Sequence, residues 1–280
     1  PGRRLALGRA RPGVFGVLDI GSNLIICIIA RIESDGTPRA LGFGWHKARG
    51  VKAGSVVDME EAERSIRAAV AGAEQMADTR LQGVIVNLSC GQPGGRIHHI
   101  DWPIGGRAVT EADLRSILQE GVRRTHADGR EVVHCFPAGF MVDETGGVED
   151  PRAMVCERLQ ARLHVVDAAS HALFNLGQTL HRCELEAEEM IASPFAAGLA
   201  TLVDDERELG AICVDMGGGT TSLACFAEGR LLHTAQLPVG GWQVTNDLAR
   251  VLSTPISHAE RLKTMHGSVL ESDEDRGELL

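Results

Sequence analysis

The sequence predicts an α/β protein of two related lobes, with an α+β segment inserted into the first, and three observations carry that expectation. Residues 14–32, VFGVLDIGSNLIICIIARI, and residues 211–229, AICVDMGGGTTSLACFAEG, share one layout: an apolar strand carrying Asp19 or Asp215 near its end, a glycine turn, then a second strand without helical period. The two aspartates lie 196 positions apart, and in each copy a further turn and a third strand follow, near 39–45 and near 230–239. The block at about 90–163 has no counterpart at the matching offset of the second copy, which marks it as an insertion.

A glycine-rich loop leading into a helix would set a phosphate on the helix N-terminus, but neither loop here leads into one. Both are strand, tight turn, strand. Such a turn of glycine, serine and threonine offers backbone N–H groups and hydroxyls to an anion, and the aspartate beside it can hold a hydrated divalent cation. A plainer alternative is a hairpin whose glycines merely supply positive φ. The second copy favours two phosphate loops facing one cleft.

Composition bounds the function. With 280 residues, 44% of them hydrophobic, the chain can bury a core in each of two lobes. A net charge of −10 argues against a general nucleic-acid binder, which would need clustered Lys and Arg. The arginines of PGRRLALGRARPG are a local exception, read as a flexible basic tail over 1–12. Seven cysteines without a C-x-x-C spacing read as free thiols in a reducing cytoplasm. No stretch is long and apolar enough for a membrane span or has the form of a signal peptide. The start at Pro1 and the stop at Leu280 suggest a fragment.

The elements follow in order. The first lobe begins at 13–89, where Asp58 and Glu61 suggest a capping box for a helix whose apolar face is Ala62, Ile66, Ala69, Val70, Ala73 and Met76, ahead of a strand at 83–89. In the insertion, Thr110 caps a helix from 111 to about 126 with Leu114, Ile117, Leu118 and Val122 on one face. Strands are expected at 132–136, 140–142 and 158–166, and turns at Asp101-Trp102-Pro103 and Glu144-Thr145-Gly146-Gly147. The first lobe resumes over 164–192 with a helix from about Ser170. The second lobe, 193–280, opens with the small-residue helix SPFAAGLATLV, whose glycine and alanines allow close approach between lobes. After the second hairpin, Gly240-Gly241 opens a helix through Val244, Leu248 and Leu252, and a last helix at 257–266 holds Glu260 and Lys263 three apart on one face. His98 and His99, adjacent on a strand, point to opposite faces and do not chelate together, and His164 and Asp167 read as structural.

The motifs Asp19-Ile20-Gly21-Ser22-Asn23 and Asp215-Met216-Gly217-Gly218-Gly219-Thr220, with Gly240-Gly241 after the second, resemble the actin-like ATPase superfamily, whose lobes are ribonuclease H-like. The longer runs EQMAD, ERLQARLHVV, DDERELGAICVDMGGGT and SHAERLKTMHG are similar, across about 13–267, to the FtsA family of bacterial cell-division proteins. The insertion falls where that family carries its displaced SHS2-like subdomain. The resemblance implies that Gly21, Ser22 and Asn23 hold one side of the triphosphate of ATP, and Gly217, Gly218, Gly219 and Thr220 the other. Gly240 and Gly241 would also bind the nucleotide, Asp19 and Asp215 would position Mg2+ through water, and Glu260 and Lys263 would contact ribose and adenine. No residue is assigned to catalysis, and whether ATP is turned over is left open.

The resemblance further implies a filament-forming adaptor that binds ATP, tethers the ring of the tubulin homologue FtsZ to the cytoplasmic face of the inner membrane and recruits later divisome proteins. Membrane contact would run through a C-terminal amphipathic helix not found in this sequence. The alternative is a phosphoryl-transfer enzyme of the same fold, a sugar kinase or a polyphosphate phosphatase. A kinase would need a catalytic aspartate at the cleft and a sugar-binding insertion, and the insertion here shows no evident polar pocket motif.

Overall fold

The computed structural model describes residues 13–125 and 129–270, so the basic tail expected at 1–12 lies outside the described residues. Strands β1 (Val14–Ile20), β2 (Leu24–Ile32) and β3 (Pro38–Lys47) form an antiparallel meander, followed by the ribbon β4 (Val51–Lys52) and β5 (Ser55–Val56), helix α1 (Met59–Ala77) and strand β6 (Gly83–Leu88). Leu18 and Ile20 on β1, with Ile25, Cys27 and Ile29 on β2, recur at every second position and fill a core closed by Ile66, Ala69, Val70 and Ala73 of α1. Gly42 and Gly44 bring β3 against that helix: a Cβ on them would stand 2.2 and 2.0 Å from the carbonyl oxygens of Ala73 and Ala69. Asp58 caps α1 by accepting from the N–H groups of Glu60 and Glu61. The reciprocal half of the expected capping box does not form, because the Glu61 carboxylate pairs with Arg64 at 2.7 Å. Met76, expected inward, is 63% exposed; Ala77, one turn beyond Ala73, continues the apolar stripe instead.

The insertion consists of β7 (Gly94–Ala108), α2 (Glu111–Arg124), β8 (Arg130–Val142), β9 (Thr145–Val148) and β10 (Val155–Ala169), an antiparallel sheet of order β7-β10-β8-β9 with α2 packed on it through Leu114 and Ile117. Three local expectations are corrected here. Asp101-Trp102-Pro103 is not a turn but lies inside β7, an edge strand, where a proline without an N–H is tolerated on the unpaired side. The strands expected at 132–136 and 140–142 are one strand, β8, in which Pro137 is absorbed by a register shift against β10. Thr145, Gly146 and Gly147 belong to β9, so the turn is confined to Asp143 and Glu144, with Asp143 at φ +51°.

The chain returns through α3 (Ser170–Arg182) and β11 (Glu186–Ala192), which pairs parallel to β6 and completes a five-stranded sheet of order β11-β6-β1-β2-β3. Next come α4 (Ser193–Thr201), α5 (Asp204–Leu209), the second meander β12 (Ala211–Met216), β13 (Thr221–Ala227) and β14 (Arg230–Leu237), then α6 (Gly241–Val251) and α7 (Ile256–His266). Gly198 of α4 makes room for Phe226, since a Cβ there would meet the ring at 2.3 Å. The inserted sheet reaches the second lobe at this point: Phe136 of β8 packs with Ala224, Phe226 and Leu231, and its ring centroid is 4.9 Å from that of Phe195.

Candidate functional site: two apposed hairpins

The duplication seen in the sequence is a duplication of hydrogen-bond register. Asp19 stands opposite Ile26 and Asp215 opposite Ser222; Gly21 N–H donates to Leu24 O at 3.0 Å and Gly217 N–H to Thr220 O at 2.8 Å. Each of these four positions has its equivalent 196 residues on. The turns therefore have the same closure, and the structure brings them face to face. A Cβ on Gly219 would lie 2.6 Å from Ser22 Oγ, and one on Gly218 3.1 Å from Asn23 Cβ and 3.0 Å from the Trp242 ring.

That geometry overturns the plainer reading of the glycines. None of Gly21, Gly217, Gly218 and Gly219 has a positive φ. Their lack of a side chain serves close approach of backbone to backbone. Among the described residues, the N–H groups of Ser22, Asn23, Gly218 and Gly219 donate to no other protein group, so the turns carry backbone donors in reserve. The Ser22 hydroxyl accepts from Gly54 N–H at 2.9 Å, which ties the first turn to the β4–β5 ribbon.

The two carboxylates are held from different elements. Asn87 Nδ2, on β6 directly beside β1, donates to Asp19 Oδ1 at 2.9 Å, and Ser193 Oγ, at the start of α4, donates to Asp215 Oδ2 at 2.8 Å. Burial raises the Asp19 carboxyl above its ordinary range, the Asn87 hydrogen bond opposes this, and the charge of Asp215 adds to the rise. The two aspartates are thus near enough across the lobes to sense one another. Neither Asn87 nor Ser193 was singled out in the sequence. The strand register of Asn87 against Asp19 and the position of Ser193 at a helix start become visible only in the fold.

Gly240 and Gly241 lie under the second turn. Gly241 N–H donates to Gly217 O at 3.0 Å and Trp242 N–H to Gly218 O at 2.8 Å, and a Cβ on Gly240 would stand 2.4 Å from Gly217 O. Glu260 and Lys263 on α7 pair at 2.8 Å; Lys263 also donates to Thr245 Oγ1 at 2.9 Å and Gly241 O at 3.2 Å, and the Thr245 hydroxyl donates to Glu260. The Glu260 carboxyl is held below its usual range by Lys263, then by Thr245, with a contribution from Lys47 of the first lobe. The acid and base are thus anchored beside the Gly240-Gly241 step.

The other candidates fall away from the hairpins. His98 shares a hydrogen bond with the Thr125 hydroxyl at 3.1 Å while His99 is exposed, and Asp167 is buried in an ion pair with Arg130 at 2.6 Å. Among the described residues, no group of three or more His, Cys, Asp or Glu is placed to hold a metal, and no helix is long and apolar enough to cross a membrane. All seven cysteines are free; burial pushes the Cys27 thiol up to about 11 and the Cys90 thiol to about 12, leaving them protonated.

Comparison with known proteins sets this site in a family. The model of "Cell division protein FtsA" matches residues 212–279, and that of "SHS2 domain inserted in FTSA" matches residues 91–167. The chain is 40% identical over 284 aligned residues to the cell division protein FtsA of Agrobacterium fabrum, covering 98% of this chain and 64% of the relative. Against FtsA of Escherichia coli K12 it is 30% identical over 260 residues, covering 91% of this chain and 61% of the relative. The chain thus spans somewhat under two thirds of the length of the curated relatives it matches. Among solved structures, a chain of the PilM-PilN type IV pilus biogenesis complex aligns with a TM-score of 0.68 at 18% identity, over 92% of this chain and 71% of that one. The fold is actin-like, with duplicated lobes and an SHS2 insertion in the first, and the chain belongs to the FtsA family of cell division proteins.

Proposed function

We propose that the apposed hairpins bind ATP with a hydrated Mg2+ and that nucleotide governs self-association of the protein at the division site. The observation that carries this reading is the equal register of two turns from different lobes, each with backbone N–H donors in reserve and an aspartate behind it. Gly21, Ser22 and Asn23 would take one side of the triphosphate and Gly217, Gly218, Gly219 and Thr220 the other. Asp19 and Asp215, each with a carboxylate oxygen that no protein group occupies among the described residues, suit water-mediated contact with Mg2+, which gives up its hydration shell reluctantly. Glu260 and Lys263 would meet the ribose and adenine beside Gly240 and Gly241. The cation supplies charge neutralisation between the phosphates and the two carboxylates; the chain's own groups orient and enclose them.

Family membership supports the wider role: an adaptor that assembles into filaments, links the FtsZ ring to the cytoplasmic membrane and recruits later divisome proteins. Nucleotide then acts by shifting an assembly equilibrium, for which differential affinity between free and assembled states suffices. Sedimentation of the full-length protein with lipid vesicles and purified FtsZ tests this. ATP-dependent polymers on lipid that retain FtsZ are expected, and sedimentation indifferent to ATP and FtsZ would refute the adaptor reading.

A further inference from the structure

Two carboxylates that repel one another across a cleft will swing toward solvent unless something fixes their rotamers. Here each is gripped through one oxygen, Asp19 by Asn87 Nδ2 at 2.9 Å and Asp215 by Ser193 Oγ at 2.8 Å. Ser193 is itself held firmly: it is 5% exposed, and the preceding N–H, that of Ala192, donates to His134 Nε2 at 3.0 Å. The remaining oxygens, Asp19 Oδ2 and Asp215 Oδ1, have no protein partner among the described residues.

A second observation points to a ligand. Asn87 Oδ1 is buried and accepts no hydrogen bond from the protein. Leaving a buried acceptor unmade costs about 1–3 kcal/mol, so such a group in a folded protein calls for a donor. The amide that orients Asp19 therefore keeps an unused acceptor, which a water bound beside it would satisfy, and a cation that keeps its hydration shell brings such waters.

We propose that Asn87 and Ser193 are positioning residues that fix Asp19 and Asp215 for the water shell of a divalent cation, and so set how strongly nucleotide binding depends on magnesium. This rests on the nucleotide-binding reading above. Neither residue touches the nucleotide in this account; each acts through the carboxylate it holds. The grip comes from a different element in each lobe, β6 for Asp19 and α4 for Asp215, so the two contributions are separable.

The test is titration of ATP into the full chain, in magnesium and in EDTA, for wild type, Asn87→Leu, Ser193→Ala and Ser193→Thr, with thermal melts of each. Ser193→Ala and Asn87→Leu should each lose about tenfold in affinity in magnesium, the size expected for a hydrogen bond to a charged group, with EDTA affinity unchanged. Ser193→Thr, which keeps the hydroxyl, should restore magnesium affinity. Equal losses in magnesium and EDTA, or no loss in magnesium, would overturn the positioning role. Should Asn87→Leu fail to fold, the Ser193 pair decides alone. Wild type that binds no ATP in either buffer would remove the nucleotide reading itself, a distinct result.

Discussion

Gly218 of the second hairpin lies against Asn23 of the first, so closely that a Cβ on Gly218 would stand 3.1 Å from that of Asn23 and 3.0 Å from the Trp242 ring. The lobes meet through their turns, and the room between them is set by glycine.

Gly218→Val should therefore force the two turns apart and lower ATP affinity by more than about tenfold. Its φ is not positive, so the cause is bulk and not backbone strain. Gly177→Ala on α3, where a Cβ meets nothing within 4 Å, is the control and should leave binding unchanged. Calorimetric titration of both variants checks this, and equal affinity of Gly218→Val and wild type would refute the two-turn site.

Asp215→Asn keeps an acceptor for Ser193 but removes the charge. It should weaken magnesium-dependent ATP binding by about ten- to a hundredfold and reduce polymer assembly in step, because the carboxylate serves the bound state itself. A dedicated phosphotransferase would instead keep binding and lose turnover by about two to four orders of magnitude. Steady wild-type turnover well above about 1 per second would contradict the adaptor reading.

The inserted sheet has its own acid-sensitive latch. Asp113 of α2 accepts two hydrogen bonds from Arg107 at 2.7 Å and completes a capping box with Thr110, and these hold its carboxyl far below the usual range, Arg107 first. A depressed carboxyl stabilises the fold above its unfolded pKa of about 4, and that contribution is lost as pH falls through the folded value. Asp113→Ala should destabilise the insertion by about 1–2 kcal/mol at neutral pH, with its loss confined to α2 and β7 in hydrogen exchange.

Where the insertion meets the second lobe, His134 and His164 are both pushed down to about 4, by burial first. The folded state disfavours their protonation, so the unfolded state takes up protons first and stability falls as pH drops from about 6.5 toward 4. The loss should be on the order of 3 kcal/mol per histidine at the acid end. Denaturant midpoints between pH 7 and 4.5 measure it, and His134→Leu should flatten that slope.

Much of this arrangement was readable along the chain, because it is local. Apolar alternation around Leu18 and Ile25, the caps Asp58 and Thr110, and the 196-residue repeat of Asp19 and Asp215 are properties of neighbouring residues or of two similar stretches, and they yield strands, helix starts and a duplicated hairpin. The glycine turns were legible for the same reason, and both close with the same hydrogen bond. What misled the local reading was residue type taken without its surroundings. Pro103 looked like a turn until it proved to lie on an edge strand, and Glu186–Ala192, rich in carboxylates, gave no strand signal until β6 supplied its partner.

The sequence by itself determined the two hairpins and the place of their aspartates, since strand pattern and turn type depend on a few adjacent residues. Only the tertiary structure decided that the turns touch, that their glycines are there for approach and not for positive φ, and that Asn87 and Ser193 grip the carboxylates. Those relations join residues 68 and 22 positions apart within each pair, and about 196 apart between turns. They are set by how whole sheets pack, which no short stretch of sequence encodes.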